Sequence, residues 1–223
     1  MKILIDRSIE RYAVTHDTRM VPHTVKWGPH ISTVSVAQRT RKQPGPSDVF
    51  IIEQLPYLVS LCNVARQGNL EFCTSFELER EALRQRSCAQ GLLGIDFFLG
   101  IRMTRVPCPA QRESFSGIID PLAYFGKEEQ LKFLRGIQHP RFLLLRKLLG
   151  DAQLADAFHL WTAEEASLDV FLTMDKKFRN NVYNQRNEVK SSVSVIAPKE
   201  VCEQLGLASS SIEKLAAEIN PFS

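Results

Sequence analysis

The sequence predicts an α/β protein, a three-layer α/β/α domain with a mostly parallel central sheet and a β-hairpin insertion. Three observations lead there. Short apolar runs (KILI, LEFCTS, VFLTM, SVSVIA) are separated by stretches with helical spacing, and strands alternating with helices imply a parallel sheet covered on both faces. Two of those runs lead into an aspartate, Asp6 and Asp175. Residues 20–38 alternate Val, Ile and Thr with polar residues around Gly28-Pro29, which is a hairpin pattern.

Taken in order, residues 2–6 (KILID) form a short buried strand ending in an acid. The 20–38 hairpin follows, then a basic, turn-rich loop at 39–48. Residues 48–67 have helical spacing with Asp48 as N-cap, and Pro56 is expected to kink or split that helix. Gly68-Asn69 stops it, 70–75 is the second strand, and Ser75 caps a charged helix over 76–87. A strand is expected at 100–106, helices at 127–136 and 140–149, and a further helix through about 151–167. The strand VFLTM, a last strand at 192–197 and short helices at about 198–206 and 209–219 complete the chain.

Apolar residues make up 44% of the 223 and charged residues 24%, the balance of a globular chain with a real core. A net charge of +3 is too small to name a polyanionic partner; only local arrangement can. Five cysteines, none in a CxxC pair, argue against a disulfide framework or structural zinc and for a cytoplasmic protein. No apolar run reaches membrane-spanning length.

The chemistry is carried by acids. In an open α/β sheet, ligands bind at the carboxyl ends of the strands, so Asp6 and Asp175 fall on the functional rim. Crowded carboxylates resist ionisation, and a divalent cation relieves them. Oxygen ligands without cysteine suit Mg²⁺ or Mn²⁺. Such an ion can activate water against a phosphodiester. Either aspartate alone is better explained as a turn residue or helix cap.

Residues 156–178, DAFHLWTAEEASLDVFLTMDKKF, add a pattern: Asp156-Ala157 opening a helix, the small Ala163, an apolar strand, then Thr173-Met174-Asp175 and Phe178, with the two aspartates 19 residues apart. This resembles the C-terminal half of PIN domains, and MKILID resembles that family's opening strand. The resemblance implies a single PIN-like domain over 1–223 with insertions at about 10–48 and 89–126. It implies that Asp6, Glu81, Asp156 and Asp175 are the catalytic metal ligands for Mg²⁺ or Mn²⁺. Glu77, one turn before Glu81, is the rival ligand. The activity implied is that of an endoribonuclease on an RNA substrate, with the toxin of a toxin–antitoxin pair as one setting, an antitoxin protein as partner, and a homodimer as the assembly. Arg7 departs from the family, which has a small polar residue after the first Asp. The alternative reading is an inactive PIN-like module that binds RNA or a protein.

Around these acids, Thr173 and Ser8 are expected to support the pocket through their hydroxyls, and Lys176, Lys177 and Arg179 to contact phosphate. Arg39-Arg41-Lys42, Arg80-Arg84-Arg86 and Arg102-Arg105 read equally as phosphate contacts or solvated surface. Glu79 is expected in solvent, Asp151 at a helix N-cap and His159 packed behind the pocket. Trp27 and Trp161 are expected in core or hairpin packing. His16, His23 and His30 recur every seven residues, but their place in a hairpin flanked by prolines argues against a metal site.

Overall fold

The computed structural model describes residues 1–13, 16–41, 48–85, 97–110 and 126–211, with backbone alone at 16–20, 37, 39–41 and 83–85. A five-stranded, wholly parallel sheet lies at its centre, flanked by helices on both faces in three layers. The strands are β1 (Lys2–Ile5), β4 (Glu71–Ser75), β5 (Thr104–Val106), β6 (Val170–Leu172) and β7 (Ser194–Ile196), in the order β5-β4-β1-β6-β7. The chain therefore builds outward from β1 on one side and returns to build outward on the other. β1 and β6 are in register, Ile3 opposite Val170 and Ile5 opposite Leu172.

Alternation along the strands divides the core in two. Ile3, Ile5, Phe72, Val170 and Leu172 face one way, against α1 (Arg7–Tyr12), α2 (Val49–Arg66) and α9 (Pro198–Leu205) through Ile9, Leu58, Leu61 and Val201. Leu4, Cys73 and Phe171 face the other. There they meet α4 (Lys127–Gly136), α5 (Pro140–Leu149) and α6 (Leu154–Glu165) through Leu134, Phe142, Leu145, Phe158 and Trp161. Period-2 side chains on strands buried on both faces explain why the central β1 and β6 read as continuous apolar runs.

Several boundaries differ from expectation for identifiable reasons. Helix α2 runs unbroken through Pro56. Asp48 holds its cap position without a side-chain cap bond. Strand β5 is limited to Thr104–Val106, the stretch that pairs with Cys73–Ser75. Gly150, at φ +84°, ends α5 and separates it from a short 3-10 turn, Asp151–Gln153, that leads into α6. Asp151 is thus no N-cap; it pairs with Arg146 at 2.8 Å, outside the acidic group. Ser75 does cap α3 (Phe76–Gln85), accepting the Leu78 N–H at 3.4 Å. The two remaining helices are α7 (Lys176–Asn184) and α8 (Arg186–Val189). The helix expected at 209–219 falls mostly outside the described residues, as does the 89–126 insertion apart from 97–110 and 126.

The hairpin is longer than its alternation predicts, β2 (His16–Trp27) against β3 (His30–Arg41). Its loop is Gly28-Pro29, with Gly28 at φ +58°; a two-residue hairpin loop needs positive φ at its first residue. Among the described residues no helix is long and apolar enough to cross a membrane.

Candidate metal and phosphate site

Asp6 follows β1 and Asp175 follows β6, so both lie at the carboxyl edge where strand order reverses, the place where such sheets leave a crevice. Their backbones are tied across the sheet: Asp6 N–H donates to Leu172 C=O at 3.0 Å, and Thr173 N–H to Ile196 C=O at 3.1 Å. Each aspartate also caps the helix it begins. Asp6 accepts from Ser8 N–H at 3.2 Å, and Asp175 Oδ1 from Phe178 N–H at 2.9 Å. The cap reading of these acids is therefore correct, and it does not compete with the other. A cap bond fixes the side chain at the rim.

The hydroxyls of Thr173 and Ser8 both reach Asp6. Thr173 Oγ1 donates to Asp6 Oδ2 at 2.6 Å, and Ser8 Oγ donates to the same oxygen. The hydroxyls in turn accept Asp175 N–H at 3.0 Å and Met174 N–H at 2.9 Å. One connected set of bonds thus links the chain after β1 to the chain after β6. Both hydroxyl bonds and the cap bond fall on the same oxygen of Asp6.

Asp156 sits in the first turn of α6. Burial pushes its carboxyl up to about 7 from an ordinary 3.8; Asp6 adds to this, His159 opposes it, and Asp175 and Glu81 add further. Three of the acids singled out from the sequence, Asp6, Asp175 and Glu81, thus each bear on the fourth, Asp156. Burial lowers the His159 imidazole, but Glu81, Asp156 and Asp6 outweigh burial and leave it raised.

Glu81 and Glu77 separate clearly. Glu81 accepts from His159 Nε2 at 3.1 Å and from Gln130 Nε2 at 2.7 Å, both on Oε1. Glu77 is buried and turned to Arg80, 3.4 Å from each of its oxygens, and to Gln130 at 3.3 Å. Glu81 bears on Asp156, whereas Glu77 neutralises a buried arginine. Gln130 was not legible as a site residue: it lies on α4, 49 residues from Glu81, and a lone glutamine carries no pattern. His159, three residues after Asp156 on the same helix face, did carry a signal. Its Nδ1 is buried and has no hydrogen-bond partner among the described residues.

Other expectations are corrected by packing. Arg80 is buried against Glu77, so it is neither a phosphate contact nor solvated. Glu79 is not left to water; it pairs with Arg105. Arg179 pairs with Glu200 and lies 5.5 Å from the Phe50 ring. Of the three basic residues after Asp175, Lys176 and Lys177 remain exposed at the rim. Arg7 turns to Glu10 at 2.7 Å. Cys73 and Cys202 are pushed up by burial, to about 11 and about 12, which removes both as nucleophiles. Arg39, Arg41 and Arg84 have no described side chains, and Lys42 and Arg86 lie outside the described residues.

An all-oxygen, acidic donor set suits a hard divalent cation. Among the described residues no three His, Cys, Asp or Glu side chains are gathered as a ready-made ligand group. Mg²⁺ keeps several waters and asks for only one or two direct carboxylates, so mutual repulsion without a closed cage is compatible with that ion. No family model matches the chain, and neither the curated proteins nor the solved structures contain a match to it.

Proposed function

We propose that this chain is a PIN-like, divalent-metal-dependent ribonuclease. The observation that carries the reading is Asp156, driven to about 7 by burial and by Asp6, Asp175 and Glu81 together. Asp156 is a perturbed acid beside the switch point of a parallel sheet, and perturbed titratable groups concentrate at functional sites. Asp6, Glu81, Asp156 and Asp175 would hold Mg²⁺ or Mn²⁺. When bound, the ion would supply an activated water and neutralise charge on the scissile phosphate. Ser8 and Thr173 fix Asp6, Gln130 and His159 fix Glu81, and Lys176 and Lys177 offer charge to an incoming phosphate. An RNA substrate and the role of a toxin with an antitoxin partner are what the resemblance adds.

The test is cleavage of labelled single-stranded RNA with Mg²⁺ or Mn²⁺. Asp6→Asn and Asp175→Asn should each abolish it while circular dichroism and melting stay near wild type. Retained cleavage in both purified variants sinks the mechanism. The second reading, a binding module without hydrolysis, is favoured by the lack of a ready-made ligand group among the described residues. It predicts RNA binding that survives EDTA, with no cleavage under any metal.

A further inference from the structure

None of the hydrogen bonds described around the four acids involves the β2–β3 hairpin. Among the described residues its strands pair with each other. From Val21 to Val36 every residue is exposed except the half-buried Val25. At about 3.3 Å per residue the arm is on the order of 40 Å long. The register places Val21, Val25 and Trp27 on one face with His30, Val34 and Val36. Trp27, beside the turn, is 75% exposed. Lys26 is exposed on the other face, opposite Ile31. Across His16–Arg41 the charged residues are Arg19, Lys26, Arg39 and Arg41 against Asp17 alone. The hairpin therefore carries a net charge equal to the +3 of the whole chain.

We infer that the hairpin is an arm that grips single-stranded RNA, with bases against Trp27 and the valine face and the phosphate backbone held by the hairpin's net positive charge, Lys26 included. An exposed aromatic offers a stacking surface to any base, and cations along an extended ribbon follow a phosphate backbone. Charge decides between occupants. A second copy laid on the same face would set two basic ribbons against each other, whereas a polyanion neutralises the arm. The inference takes the identity of the polymer from the ribonuclease reading but needs no hydrolysis.

The full chain in EDTA is titrated with a fluorescein-labelled oligouridylate of about 20 nucleotides, a length that exceeds one stacking site. Anisotropy is followed between roughly 50 and 200 mM KCl, and tryptophan emission is read in parallel. Trp161 is 2% exposed, so quenching reports Trp27. Binding should weaken with salt, quench emission, and fall about tenfold in Trp27→Ala, with Trp27→Phe keeping most of it. Lys26→Ala should weaken binding and flatten the salt dependence. Equal affinity in wild type and Trp27→Ala overturns the arm. So does a concentration-dependent dimer, lost in Trp27→Ala, in a protein that leaves oligouridylate unbound. A wild type that cleaves RNA with unquenched Trp27 overturns the arm and spares the nuclease reading; binding through Trp27 without cleavage under any metal does the reverse.

Discussion

Asp156 is an aspartate that folding makes harder to ionise, and this has a consequence for stability. Its carboxyl rises from 3.8 to about 7 through burial and then through its acidic neighbours. Between those values the folded chain keeps a proton that the unfolded chain has released. Stability should therefore be fullest below about pH 4 and fall as pH rises to about 7. Asp156→Asn removes the penalty, so at pH 7.5 in EDTA it should be more stable than wild type by the order of 1–3 kcal/mol in urea unfolding. Its advantage should vanish near pH 4; a variant less stable at both pH values would contradict the repulsion. Asp6→Asn and Asp175→Asn should cost little stability, since asparagine caps helices as aspartate does. Gln130, buried between Glu77 and Glu81, holds Glu81 through Oε1. Gln130→Met keeps the side-chain length and removes that bond. Calorimetric titration should show Mn²⁺ binding weakened roughly 10- to 100-fold, as for other residues that orient a metal ligand, with the fold retained.

At the scale of elements, the two tryptophans separate body from arm. Trp161 on α6 is packed among Phe142 and Phe158, with ring centroids at 5.6 and 5.9 Å. Trp27 stands in solvent at the hairpin turn. Urea unfolding should find Trp161→Ala destabilised by about 3–5 kcal/mol and Trp27→Ala within about 0.5 kcal/mol of wild type. A large loss in Trp27→Ala would mean that the hairpin packs on the body. The sequence marks both residues as packed, Trp161 within a helix and Trp27 within a strand pattern, where a tryptophan is ordinarily half-buried; for Trp27 it holds no sign of whether the other half of the sheet exists. The same blindness applies to Arg80 and Glu79. Both lie on α3 among charges that read as surface, yet one is buried against Glu77 and the other pairs with Arg105 from the neighbouring strand segment.

For the molecule as a whole, the proposed metal binding and the acidic repulsion at Asp156 would be two sides of one equilibrium. An ion that binds only the folded chain should stabilise it by about 2.7 kcal/mol at a hundredfold excess over its dissociation constant. Thermal melts should therefore rise on adding Mn²⁺ and return with EDTA, and the rise should shrink in Asp156→Asn. Unchanged melts in millimolar Mn²⁺ would leave the binding-module reading in place. The α/β class, the strands, most helix spans and the acids at strand ends were all legible in the sequence. Each depends on residues close in the chain: the period of apolar side chains, a cap, a glycine stop. Which acids meet was decided by tertiary structure. Parallel strand order sets β1 beside β6 and so brings Asp6 to the rim with Asp175, and α3, α4 and α6 bring Glu81, Gln130 and His159 together across 78 residues. Local pattern sets which face a side chain takes; only the crossover connections decide what that face meets.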